Sequence, residues 1–317
     1  MPRAPDRAIK LDAKPGAIAV SPSGEEIVAA LTNGTIQVFS ISGHLLRSFR
    51  SEAESYGNRR GPFHRWTQLA FSGDGKLLAG VRGGRHLALL DARDGRELFA
   101  FDGHEDVINS LALSRDGSLL ATASNDCTIA LWKSASGSRV FSFAGALGEA
   151  SSVALSPAGD RVAGGWSDAD VRIVNASTGR QEYTVAGLSM AAFALAFSPD
   201  GRLLACGCAD GVVSVTDAAT GGRRGQLVRH PTPVGFVAFS QDARLLASVG
   251  LSMNPETREA EVRVGRMAGS NDSVEPIGVS HWNVLAFTSD GTAHVVDVEG
   301  PTLRIWDVRG PTPESRA

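Results

Sequence analysis

LALSRDG, Leu111 to Gly117, is an apolar residue, Ala, an apolar residue, a hydroxyl residue and then a tight turn. Six other stretches follow that plan: IAVSPSG (Ile18 to Gly24), LAFSGDG (Leu69 to Gly75), VALSPAG (Val153 to Gly159), LAFSPDG (Leu195 to Gly201), VAFSQDA (Val237 to Ala243) and LAFTSDG (Leu285 to Gly291). The hydroxyls stand at Ser21, Ser72, Ser114, Ser156, Ser198, Ser240 and Thr288, at intervals of 51, 42, 42, 42, 42 and 48. A fixed period of this size marks an array of one repeated supersecondary unit.

The third copy shows the unit. NSLALS alternates with period 2 and reads as a strand, and Arg115-Asp116-Gly117 is a turn. SLLATAS, TIALW and RVFSF follow as three more strands, divided by turns at Asn125-Asp126 and Ser134 to Ser138. Such short turns make neighbouring strands antiparallel, so each unit is a four-stranded meander, with strands a to d in chain order. One meander cannot bury both of its faces, whereas seven around an axis can. Ala19, Ala70, Ala112, Ala154, Ala196, Ala238 and Ala286 hold the same place in every copy. A small residue there fits strand a innermost, where sheets crowd the axis. The expected fold is all-β: a seven-bladed propeller of four-stranded antiparallel blades.

Gly103-His104, Thr122, Asp126 and Trp132 in the third copy resemble the signature of the WD-repeat (WD40) family, and the resemblance spans nearly the whole chain. It implies a hydrogen-bonded relay in which His104 bridges Asp126 and Thr122 and Trp132 completes the series. Asp168 and Asp210 match Asp126, and His230 matches His104. The Trp-Asp column holds the literal pair only at Trp306-Asp307, and Gly265 lies near it in the sixth copy.

The seventh copy ends with LRIWDV, a strand c, and RGPTPESRA (residues 309–317) after it is polar and Pro-rich, as expected of a flexible tail. RAIKLDA, Arg7 to Ala13, precedes the first strand a. It is expected to supply the missing strand d of the last blade, which removes two open sheet edges. Residues 1–317 then form a single domain.

A net charge of −3 shows no strong bias toward nucleic acid or membrane. The N-terminal stretch has no apolar signal core, and Cys127, Cys206 and Cys208 are an odd number, which fits a reducing, cytoplasmic setting. There is no G-K-[ST] loop, G-x-S-x-G elbow or H-E-x-x-H, and the seven His residues are scattered. The expectation is a protein without catalysis, cofactor or metal. The alternatives are a propeller hydrolase or lyase acting at the axial channel, and weak nucleic-acid binding through surface Arg.

The two long intervals say where a partner would bind. Extra residues fall in Arg50 to Trp66, between the first and second blades, and in Leu251 to Ala260, the b–c turn of the sixth. In antiparallel blades both kinds of connection emerge on one face, the top. Loops on a rigid scaffold are where binding residues concentrate. Trp66 and Trp282 each stand six residues before their motif hydroxyl, where other copies have Pro15, Ile108, Ala150, Ala192 and Val234. They read either as packing under the adjacent loop or as a partly exposed aromatic rim beside Arg65, Thr67, His281 and Asn283. Tyr56, Arg59 and Arg60 lie in the first insertion. The family resemblance implies further top-face contacts at Lys14, Arg65, Asn109, Asn125, Ser151, Ser167, Phe193, Ala209 and Asn283. The expected partner is a protein or peptide in a multi-protein complex. A nucleic-acid backbone would call for a denser basic stripe.

Overall fold

A computed structural model describes residues 3–50, 66–144, 148–251, 259–267, 273–278 and 283–309. Among them are seven four-stranded antiparallel sheets and no helix, so none is long and apolar enough to cross a membrane. Blade 3 comprises Ile108–Leu113, Leu119–Ser124, Thr128–Lys133 and Ser138–Ala144. The inner strands of blades 1, 2, 4, 5, 6 and 7 are Pro15–Val20, Trp66–Phe71, Ala150–Leu155, Ala192–Phe197, Val234–Phe239 and Asn283–Phe287. Each carries one copy of the sevenfold motif.

Local chemistry explains the motif. The Ser114 hydroxyl donates to Asp116 Oδ1 at 2.6 Å and accepts from the Leu119 amide at 3.0 Å. Gly117 closes the turn at φ 71°. Ser72, Ser198, Ser240 and Thr288 make the same bond to Asp74, Asp200, Asp242 and Asp290. These hydrogen bonds hold Asp116 below the usual carboxylate range and bring Asp290 down to about 2.

The Ala column has a partner that the motif alone does not show. Ala70, Ala112, Ala154, Ala196 and Ala238 pair across the ladder with Ala79, Ala121, Ala163, Ala205 and Ala247. Small faces small where the blades converge, which lets the inner ends of the sheets approach.

The core is not central. It is divided into seams, each shared by two neighbouring blades. Ile36 and Val38 of blade 1 meet Leu78 and Leu90 of blade 2. Leu131 of blade 3 meets Val153 and Val162 of blade 4, and Val215 of blade 5 meets Leu246 of blade 6. At about 1.5–3 kcal/mol for each fully buried aliphatic side chain, a seam of this size outweighs any single polar contact in the ring. Farther out, an aromatic on strand d packs on a glycine in the next blade's c–d turn. The pairs are Phe49–Gly95, Phe99–Gly137, Phe141–Gly179 and Tyr183–Gly221, and a Cβ at any of these glycines would crowd the ring.

Ring closure follows the expected plan. Arg7–Lys10 is the outer strand of blade 7, beside Thr302–Arg309, with Arg7 opposite Ile305 and Ile9 opposite Leu303. Ile9 and Leu11 enter the seam with blade 1. The Trp306 indole donates to the Arg3 carbonyl at 3.1 Å, and Asp307 pairs with Arg7 and His294. The strand stops at Lys10 rather than Ala13, because its partner begins at Thr302, after the Gly300-Pro301 turn.

Two connections differ in length on the top face. The b–c connection of blade 6 spans residues 251–258, against 125–127 in blade 3. Most of it (252–258), residues 51–65 and the terminal segment 310–317 lie outside the described residues.

Candidate interaction surface

The top rim is built by one repeated bond. The first amide after strand b donates to the last carbonyl before strand a: Asn125 to Val107 at 2.8 Å, Ser167 to Glu149 at 3.0 Å, Ala209 to Ala191 at 2.9 Å. Both kinds of top connection are thereby fixed to the same blade.

Under the rim of blade 3 lies a complete polar chain. The His104 Nδ1 donates to Asp126 Oδ2 at 2.8 Å, and its Nε2 accepts from the Thr122 hydroxyl at 2.7 Å. A carboxylate only accepts, which sets this tautomer. Thr122 Oγ1 accepts in turn from the Trp132 indole at 2.8 Å. Burial opposes ionisation of Asp126, but hydrogen bonds from Thr128 and His104 outweigh it and keep the carboxyl below its usual range.

Blade 6 holds the same register with different residues. His230 Nε2 still meets Ser248 Oγ at 2.7 Å. Gly265 stands opposite Leu246, where Trp132 stands opposite Leu120 in blade 3. The nearest carboxylate is Glu261, 3.8 Å from His230 Nδ1, which makes no hydrogen bond among the described residues. Burial, with Arg263 nearby, lowers the His230 pKa to about 4.

Trp66 is not a rim residue. It is 1% exposed, in the seam of blades 1 and 2, with the Arg82 guanidinium 4.4 Å from its ring centroid. The indole lies against Gly80, which pairs with Leu69 as Thr122 pairs with Leu111. Where blade 3 has a relay hydroxyl, blade 2 has a gap, and Trp66 fills it. Gly80 at that register was the sequence signal for burial. Tyr56, Arg59, Arg60, Arg65, His281 and Trp282 lie outside the described residues, and Asn283 begins the inner strand of blade 7.

The inner-rim polar candidates are engaged within the ring. Thr67 Oγ1 reaches the Val81 carbonyl at 3.4 Å. Asn109 Nδ2 donates to Asn125 Oδ1 at 2.5 Å and to the Ala150 carbonyl of the next blade at 2.9 Å. Ser151 Oγ donates to the Ala192 carbonyl at 2.9 Å. Phe193 holds the equivalent place in blade 5, yet is 40% exposed. Met190, in the preceding connection, and Val107, in blade 3, are exposed apolar side chains on the same face.

Charge on this face is segregated. The top connections of blades 3 to 5 that are described (103–107, 125–127, 148–149, 167–170, 185–191 and 209–211) contain Glu105, Asp106, Asp126, Glu149, Asp168, Asp170 and Asp210, and neither Lys nor Arg. On the opposite face, the turns of the same blades carry Arg115, Arg180 and Arg202 against Asp116, Asp160 and Asp200. The remaining described top connections hold Asp12, Lys14 and Arg85. Beside His104 a recess of 390 Å³ is lined by Asp102, Glu105, Asp126, Thr128, Arg139 and Ser142, among others. Among the described residues, no three His, Cys, Asp or Glu side chains gather as metal ligands.

Seven meanders, each sharing a core with its neighbours and closed by an N-terminal strand, define a seven-bladed β-propeller. The description "WD domain, G-beta repeat" matches residues 95–133 and 183–217, the first spanning the complete relay of blade 3 and the second running from the end of the outer strand of blade 4 through the three inner strands of blade 5. Two stretches of the chain thus match the WD repeat, and its fold is a seven-bladed propeller. No curated protein sequence matches it. In structure it is similar to a chain of the "Crystal Structure of Mitotic Checkpoint Complex", with a TM-score of 0.75 at 19% identity over 96% of this chain and 92% of that one. Likeness at that identity concerns the fold alone.

Proposed function

We propose that this protein is a non-catalytic interaction scaffold that binds a partner protein or peptide on its top face, within a multi-protein complex in the cytoplasm. WD-repeat propellers are typically interaction scaffolds, and the solved structure to which this chain is similar is a complex by its title. One observation carries the reading. At the inner-rim position where Asn109 and Ser151 are bonded into the ring, blade 5 presents Phe193 to solvent. An exposed aromatic on a rigid strand end is an anchor for a partner. Arg59, Arg60 and Trp282, which lie outside the described residues, remain candidate contacts from the sequence. The cytoplasmic assignment is supported by three free cysteines. Burial pushes both inner thiols up, Cys208 to about 12, so they act as small apolar core residues.

A photo-crosslinking residue placed at Phe193, and separately at Thr178 on the opposite face, tests the proposal in cells. Discrete protein adducts are expected at Phe193 and not at Thr178. Adducts confined to Thr178, or none at either position, would refute it.

A further inference from the structure

We infer that the segment seated on the top face of blades 3 to 5 is basic: a short stretch of a partner protein in which Arg or Lys side chains flank an apolar one. The inference rests on the proposal that partners dock on this face, and it names the chemistry of the docking segment.

Three independent observations converge on it. The first is apolar. Phe193 and Met190 in blade 5 and Val107 in blade 3 are each at least 40% exposed, on a face whose neighbouring polar groups already bond one another. An incoming polar backbone finds few open partners there, whereas an apolar side chain finds surface to cover. The second is charge. The described connections of this arc carry seven carboxylates and no cation; Asp170 is paired with Arg172 of the adjoining strand and Asp126 is bonded in the relay, and the opposite face of the same blades is balanced. Potentials of opposite sign set orientation and speed encounter, so this arc selects a cationic segment and repels an acidic one or a nucleic-acid backbone. The third is shape. The recess beside His104 is lined by the exposed Asp102 and Glu105, with Arg139 also in its wall and Asp126 already bonded to His104 and Thr128. Its 390 Å³ admits a Lys or Arg side chain, whose donors match the Asp102 and Glu105 carboxylates.

The test uses the full chain and three fluorescent twelve-residue peptides. One has Arg on both sides of a central Leu, one replaces every Arg by Glu, and one replaces Leu by Ser. Anisotropy titrations at low and physiological salt report affinity. The Arg/Leu peptide is expected to bind, to weaken with salt, and to bind more tightly than the Ser peptide. The Glu peptide is expected not to bind. Combined Glu105→Lys, Asp106→Lys and Glu149→Lys should lower affinity about tenfold or more, as three rim charges are reversed. Phe193→Ser should lower it without changing the salt dependence. All four residues are exposed, so thermal melting should be unaltered and serves as the folding control. Equal binding of the Ser peptide, or an unchanged affinity in Phe193→Ser, would mean general attraction to acidic surface and would overturn the inference. Tighter binding of the Glu peptide, or of a single-stranded oligonucleotide, would overturn it as well. If crosslinks still form at Phe193 in that case, the top-face proposal survives and only the partner's chemistry is wrong.

Discussion

Blades 3 and 6 share a register but differ in what their polar groups have to bond. In blade 3, Trp132, Thr122, His104 and Asp126 form an unbroken series of donors and acceptors. In blade 6 the tryptophan position is Gly265, and among the described residues His230 hydrogen-bonds Ser248 alone. Both blades nevertheless keep four strands and a shared seam on each side. The repeat fold therefore depends on apolar phasing and the a–b turn, and the relay is a local reinforcement.

The contrast can be broken by mutation. Trp132→Ala removes a buried ring and an indole donor and should cost about 3–5 kcal/mol of stability by chemical denaturation. A loss below about 1 kcal/mol would show that blade 3 gains nothing from its relay. Thr122→Val leaves His104 Nε2 and the Trp132 indole N–H both lacking a partner and should cost about 1–3 kcal/mol. Ser248→Ala deprives His230 alone and should cost less. Equal losses would erase the distinction.

Acid should act on blade 6 through His230. Its folded pKa of about 4 lies below the ordinary histidine value. The unfolded chain therefore binds that proton first. Stability from the neutral ring is full above the ordinary value and falls as pH drops toward the folded pKa. Wild type should thus lose more melting temperature between pH 7 and pH 4.5 than His230→Gln does. Parallel curves would count against a neutral, buried ring. The smallest effect sharpens what the blades share. Ser114→Ala and Ser240→Ala remove the same turn bond, and each should cost about 1 kcal/mol. A marked difference between them would mean the turns are not equivalent.

Much of this was legible in the sequence, for a physical reason. Period-2 strands and short turns are local, so LALSRDG and its copies announce their own geometry, and closure by Arg7–Lys10 follows from an open edge. Trp66 was harder, because its burial depends on Gly80, a residue across a ladder rather than beside it in sequence. The polar candidates Asn109 and Ser151 are bonded to the next blade, a contact about one period away. The acidic arc was present in the composition of each loop, yet it emerges only when loops are sorted by the face they share.

Closure by the first strand has a consequence for biosynthesis. Arg7 and Ile305, paired in the finished ring, are 298 positions apart in the chain. At about 5–20 residues per second, Arg7 is made roughly 15–60 s before its partner. For that interval the nascent ring is an open arc with bare edges at both ends, and the ribosome holds a curved sheet array that can neither close nor safely meet another copy of itself.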